Sequence, residues 1–179
     1  GLNLGGGKAV IIGDPKKDKS EELFRSFGRF IEGLGGRYIT AEDVGTSIKD
    51  MDHVRMETKY VTGISKSLGG SGDPSLLTSF GTYLGIKASV KFKYKKDSLD
   101  GLSIVVQGLG SVGMELVKYL SQDGMKIFAY DIDSERLSLA KEEYGVIPIG
   151  EDEVYDQDMD IYAPCALGAT INDETIPRL

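Results

Sequence analysis

The chain has 179 residues, 40% hydrophobic and 27% charged, enough to bury one substantial core or two small ones. Its formal net charge is -7 and no lysine or arginine run exceeds two residues, so it offers no continuous basic footprint and no nucleic-acid partner is expected. A single cysteine, Cys165, excludes an intrachain disulfide and fits a reducing, cytoplasmic setting, and no apolar stretch approaches the roughly 20 residues that span a bilayer. With one histidine and one cysteine a structural zinc site is not expected, and neither is any other metal site. The chain opens on Gly1 without a methionine or a basic and apolar leader, which suggests a stretch of a larger protein.

In chain order, residues 8–12 read as a short buried strand, punctuated by Gly13-Asp14-Pro15. A helix starting at Asp18 or Ser20 follows. Its apolar positions Leu23, Phe24, Phe27, Phe30, Ile31 and Leu34 repeat at helical spacing, and Gly35-Gly36 ends it. Residues 37–40 read as a second strand, placing Asp43 just beyond a strand end, and a helix with Ile48, Met51 and Val54 inward comes next. His53 falls on the polar face of that helix and reads as a surface residue. The glycine-rich stretch 63–73 has the composition of a hinge, so we divide the chain there into a first domain, 1–72, and a second, 73–179.

The second domain begins with Pro74 in the first turn of a helix carrying Leu76, Leu77, Phe80, Leu84 and Ala88. Strand 103–107, helix 111–121, strand 126–131, helix 134–144 and strand 160–163 then alternate as in a parallel α/β sheet. The fold class is α/β: a partial substrate-binding and assembly domain followed by a Rossmann-like dinucleotide-binding domain, both incomplete.

The most informative motif is Gly108-Leu109-Gly110-Ser111-Val112-Gly113, with Met114 following. The bare glycine spacing is a weak signal. Here a strand precedes it, a helix follows it, and Asp131 closes the next strand 23 residues after Gly108. The first glycine permits the tight turn, the second lets backbone approach a pyrophosphate, and the third lets helix and strand pack closely. Amides of Ser111 to Gly113 at a helix N-terminus would meet the phosphate charge. Asp131 would accept hydrogen bonds from the adenosine ribose hydroxyls and repel a 2′-phosphate, which favours NAD over NADP as the cofactor.

Gly5-Gly6-Gly7-Lys8 is not a phosphate loop, because Leu2 stands at the required first glycine and Ala9 follows the lysine. Three glycines instead let a substrate approach the backbone, and the apolar run after Lys8 is expected to desolvate its ammonium. Four segments carry a resemblance: Gly1-Leu-Asn-Leu-Gly-Gly-Gly-Lys8, Val10-Ile-Ile-Gly-Asp-Pro15, Gly36-Arg-Tyr-Ile-Thr-Ala-Glu-Asp-Val-Gly-Thr46 and Asp160-Ile-Tyr-Ala-Pro-Cys-Ala-Leu-Gly168. They resemble the leucine dehydrogenases, the branched-chain branch of the glutamate, leucine, phenylalanine and valine dehydrogenase superfamily, and the likeness runs through the whole chain.

The resemblance implies Lys8 and Asp43 as catalytic residues, with Gly6, Gly7, Ala41 and Thr62 near the substrate. It implies Thr78 at the nicotinamide carboxamide and Cys165, Ala166 and Leu167 in a loop beside the cofactor. Cys165 reads as a packed residue there, not a nucleophile. The reaction implied is reversible NAD-dependent oxidative deamination of a branched-chain L-amino acid, first of all L-leucine, to its 2-oxo acid and ammonia, by a protein that is a homo-oligomer at full length. Preference for valine or phenylalanine stays open, as does a non-catalytic NAD-binding module. Gly113, commonly alanine in the leucine enzymes, reads as a harmless exchange. The family's second lysine upstream of Lys8 and its asparagine-bearing cofactor loop beyond Leu179 fall outside this chain.

Overall fold

A computed structural model describes residues 3–179, so Gly1 and Leu2 of the first resembling segment lie outside the described residues. The chain forms two compact units, Gly1–Pro74 and Ser75–Leu179.

In the first unit, helix α1 spans Glu21–Gly33. Ser20 caps it by accepting from the Leu23 N–H at 3.2 Å, and Glu21 and Glu22 place negative charge in its first turn, where the helix dipole favours it. Gly35 and Gly36, at φ +59° and +84°, turn the chain out of the helix in a conformation that side chains disfavour. Helix α2, Ile48–Arg55, opens on a reciprocal cap in which Asp50 and Ser47 satisfy each other's backbone N–H. The two helices approach closely at Gly28, where an added Cβ would lie 2.8 Å from the Val54 carbonyl oxygen. Phe24, Met51, Val54, Val61 and Ile64 form the small core between them.

Several expectations for this unit are corrected. Residues 8–12 form no strand: Val10 is 80% exposed and Ile12 98%. Residues 37–40 contribute a single parallel bridge, Thr40 to Val61. A strand is stable only beside another, and these two apolar runs are not hydrogen-bonded to each other. Phe30, placed on the inward stripe of α1, is exposed, because the face toward α2 is the one carrying Phe24 and Phe27. His53 is not a free surface residue but half-buried, with Nε2 4.0 Å from Glu21 and Nδ1 buried without a hydrogen-bond partner.

The second unit begins with α3, Ser75–Tyr94. Strand β1 (Ser103–Gln107), helix α4 (Ser111–Gln122), strand β2 (Lys126–Tyr130), helix α5 (Ser134–Tyr144), a short strand β3 (Ile147–Pro148) and strand β4 (Ile161–Pro164) follow. The sheet is parallel throughout, in the order β3-β2-β1-β4. Strand alternation sets its two faces. Ile104 and Val106 join Leu116, Val117 and Leu120 of α4 in the main core, whereas Val105 points to the other side, with Phe128, Val154 and Tyr155.

Strand β3 was not visible in the sequence, since two residues carry no periodicity; its Pro148 sits at the sheet edge, where a missing N–H costs no ladder bond. Helix α3 corrects a second stripe. Leu76, Leu77, Phe80, Leu84 and Ala88 are exposed, and Ser79, Ile86 and Val90 are buried instead. The helix is apolar on two sides and α4 covers one, where Tyr83 stacks on Tyr119. No described helix is long and apolar enough to cross a membrane.

Candidate functional site

In the first unit the residues meant for chemistry do meet. The Lys8 ammonium pairs with Asp43 Oδ2, and Asp43 Oδ1 accepts the Val44 N–H at 2.8 Å. The turn from Asp43 to Thr46 holds that carboxylate in place: the Asp43 N–H donates to Thr46 Oγ1, and the Thr46 hydroxyl and N–H return to the Asp43 carbonyl. Lys8 and Asp43 are 66% and 57% exposed, so the expected desolvation of the ammonium does not occur; the run after Lys8 that was to bury it is itself exposed. The pair borders a cavity of about 460 Å³ that Ala41 also lines, with Leu23, Phe24, Phe27 and Met51 as its apolar wall. Gly6, Gly7 and Thr62 do not line it. A Cβ on Gly6 would meet nothing within 4 Å, Gly7 backs onto the Tyr38 ring, and Thr62 bonds through its N–H to the Thr40 carbonyl.

The second unit brings its residues together around the carboxyl end of β1. Strand β1 lies between β2 and β4, so the chain order reverses beside it, and the loops leaving β1 and β4 flank the crevice where open α/β sheets bind ligands. Those loops touch. The Cys165 N–H donates to the Gln107 carbonyl at 2.8 Å, and a Cβ on Gly108 would lie 2.7 Å from the Ala166 nitrogen. Gly108, at φ +97°, makes the turn that only glycine takes without strain. Leu109 is buried, and Gly110 caps α4 with no side chain, so the amides of Ser111, Val112 and Gly113 face outward from the helix end. Met114 is half-buried behind them, Ala166 and Leu167 are exposed, and Thr78 sits in the first turns of α3.

Three features here were not legible beforehand. Gly113 is not interchangeable with alanine in this loop: a Cβ would fall 1.9 Å from the Gly108 carbonyl oxygen, so the exchange read as harmless needs the loop to move. Asp131 is engaged with the glycine loop itself, accepting the Leu109 N–H at 2.5 Å and the Asp133 N–H at 2.8 Å. Gln107, buried at the end of β1, accepts from the hydroxyls of Tyr155 and Tyr162, and a polar residue closing an apolar strand was the signal available for it. Burial pushes the Tyr162 phenol up to about 12 and the Cys165 thiol up to about 11, so Cys165 is suited to packing rather than nucleophilic attack. Among the described residues no cluster suits a metal ion. The open helix end, the close glycine contacts and the acid at the end of β2 fit a dinucleotide.

Residues 1–60 match the Glu/Leu/Phe/Val dehydrogenase dimerisation domain. The chain is 56% identical over all its 179 residues to leucine dehydrogenase of Bacillus subtilis (strain 168), covering 49% of that protein. It is 44% identical over 183 aligned positions to phenylalanine dehydrogenase of Lysinibacillus sphaericus, covering 99% of this chain and 48% of that one. Among solved structures, L-tryptophan dehydrogenase from Nostoc punctiforme superposes with a TM-score of 0.71 at 40% identity, over 99% of this chain and 50% of its own. The chain thus spans about half the length of the curated relatives it matches. From end to end the chain is thus similar to these amino-acid dehydrogenases, and its first segment matches the dimerisation domain of the Glu/Leu/Phe/Val dehydrogenases.

Proposed function

We propose that this sequence serves the reversible NAD-dependent oxidative deamination of an L-amino acid, with L-leucine first, to its 2-oxo acid and ammonia. The observation that carries the reading is the Lys8–Asp43 pair, a cation and a carboxylate drawn from segments 35 residues apart and set beside an apolar cavity. NAD, when bound, accepts the hydride from the substrate α-carbon.

The chain's own residues supply position and charge. Asp43 takes the proton from the substrate ammonium and returns it to the departing ammonia. Lys8 orients the water that adds to the substrate iminium and stabilises charge on its oxygen as the carbinolamine forms and collapses. Ala41, on the cavity wall, receives the substrate; for Gly6, Gly7 and Thr62 a place near it rests on the family resemblance alone. Thr78, the loop from Gly108 to Met114, Asp131 and Cys165 to Leu167 hold the dinucleotide, and Asp131 favours NAD over NADP by charge. Leucine preference is supported by 56% identity to a leucine dehydrogenase against 44% to a phenylalanine dehydrogenase. Homo-oligomerisation through the first unit is supported by the dimerisation domain that residues 1–60 match.

The test is NADH formation with L-leucine, L-valine and L-phenylalanine, comparing the full-length protein that carries this sequence with its Lys8→Ala variant. We expect L-leucine to be turned over fastest and the substitution to lower turnover by about 10²-fold or more, the scale of lost acid–base catalysis. Equal turnover in the variant would remove Lys8 from the mechanism. NAD binding with no turnover of any amino acid would favour the non-catalytic module.

A further inference from the structure

We infer that Asp131 is a positioning residue for the glycine loop, in addition to any contact it makes with a nucleotide. The inference deepens the proposed nucleotide site and takes its functional consequence from that reading.

Buried backbone groups have to find partners. Leu109 is 1% exposed, so its N–H has no access to water and would cost stability if left without an acceptor. It lies between Gly108 and Gly110, two residues that give the loop little conformational restraint of their own. Its N–H is taken by Asp131 Oδ2 at 2.5 Å, from the neighbouring strand end. The other carboxylate oxygen, Oδ1, accepts the Asp133 N–H at 2.8 Å. Asp133 in turn caps α5 by accepting from the N–H groups of Glu135 and Arg136. One carboxylate therefore ties the loop after β1 to the start of α5.

A second bond acts in the same direction. The Gly108 N–H donates to the Tyr130 carbonyl at 2.8 Å, so successive N–H groups of the loop are fixed by successive residues at the end of β2. The Gly108 carbonyl is pressed toward Gly113, where no side chain fits. The path of the loop is thus set before a ligand arrives, and the amides of Ser111 to Gly113 are pre-aimed. A carboxylate has about four lone-pair positions and two are used here, leaving acceptors for ribose hydroxyls as well. An asparagine at this position has only one oxygen, so one of the two N–H groups would meet an amide N–H instead.

Removing a negative charge beside a phosphate site should strengthen binding of any phosphate, whereas loosening the loop should weaken it. The experiment titrates this chain and its Asp131→Asn variant with ADP and with 2′,3′-dideoxy-ADP, which lacks the hydroxyls a carboxylate would accept from. Hydrogen exchange of the ligand-free proteins is followed at the Leu109 amide. We expect the substitution to weaken both nucleotides by about tenfold, the scale of one lost charge-assisted hydrogen bond, and to accelerate Leu109 exchange. Weaker ADP binding with dideoxy-ADP unchanged or tighter would overturn the inference, leaving Asp131 a ribose contact alone. If neither nucleotide binds the native chain, the nucleotide reading fails by itself. The loop role is then decided by Leu109 exchange, with acceleration in the variant supporting it and an unchanged rate contradicting it.

Discussion

The two units begin from the same ingredients, an apolar run, a glycine-rich turn and an amphipathic helix, and they close to different degrees. In the second unit β1 runs through α4 to β2, and the returning strand pairs residue for residue, from Ser103 with Lys126 to Gln107 with Tyr130. Helix α4 buries Leu116, Val117 and Leu120 completely against that sheet. In the first unit the run 8–12 leads through α1 to residues 37–40, yet Thr40 pairs with Val61 and the first run stays exposed. The contrast teaches that an apolar β-prone run specifies only a capacity to pair. Whether it becomes a strand is decided by what lies on its two edges and two faces. A site built on the closed unit inherits its precision from the sheet, whereas Lys8 and Asp43 depend on each other and on one turn.

The widest gap between the units should appear in side-chain truncation. Leu116→Ala, at 0% exposure, is expected to cost about 2–5 kcal/mol in a denaturant titration. Val10→Ala, at 80% exposure, should stay within about 0.5 kcal/mol. A comparable loss for Val10→Ala would mean that residues 8–12 are packed in solution, and the comparison would break.

Glycine replacement sharpens the same contrast on a smaller scale. Gly113→Ala places a Cβ 1.9 Å from the Gly108 carbonyl oxygen and should destabilise the second unit by about 1–3 kcal/mol. Gly6→Ala meets nothing within 4 Å and should leave stability near that of the native chain. Calorimetric melts of the two variants would check both, and a neutral Gly113→Ala would show a looser loop than described.

Cys165 probes the closed unit without a large change in stability. Because burial lifts its thiol to about 11, alkylation of the folded chain should be slow at neutral pH and should rise by about tenfold per pH unit through the mildly alkaline range. A rate that levels off near the pKa of a free thiol would place Cys165 in water.

The smallest effect concerns the link from α1 to the residues just after α2. The hydrogen bond from Arg25, with help from Arg29, holds the Glu57 carboxyl below its usual range. Its stabilisation is therefore present above the unfolded carboxylate pKa and lost as pH falls through the lower folded value. Glu57→Gln should lower the melting temperature slightly near neutrality and flatten that part of its acid dependence. An unchanged acid profile in the variant would remove the pair from the account.

Where an element is defined by its own residues, the sequence was readable. Ser103 to Gln107 and Ser134 to Tyr144 form the strand and helix that their periodicity and flanking turns implied, and Gly35-Gly36 ended α1 as glycines do. Where the outcome depends on a neighbour, it was not. The choice between the two apolar sides of α3 was made by α4, and the bridge from Thr40 went to Val61 through pairing that no local pattern encodes. The site divides the same way. The glycine spacing and Asp131 stood out by type and distance, and Lys8 with Asp43 by resemblance. The grip of Asp131 on the Leu109 amide and the clash awaiting a Cβ at Gly113 belong to atoms brought together only by the fold.

The most direct test of the central claim is a calorimetric titration of this chain with NAD and with NADP. NAD is expected to bind with a stoichiometry of one site per chain, and NADP to bind at least about tenfold more weakly because its 2′-phosphate would face the Asp131 carboxylate. Equal affinity for the two dinucleotides, or no binding of either, would contradict the assignment of the β1 loop and Asp131 as the cofactor site.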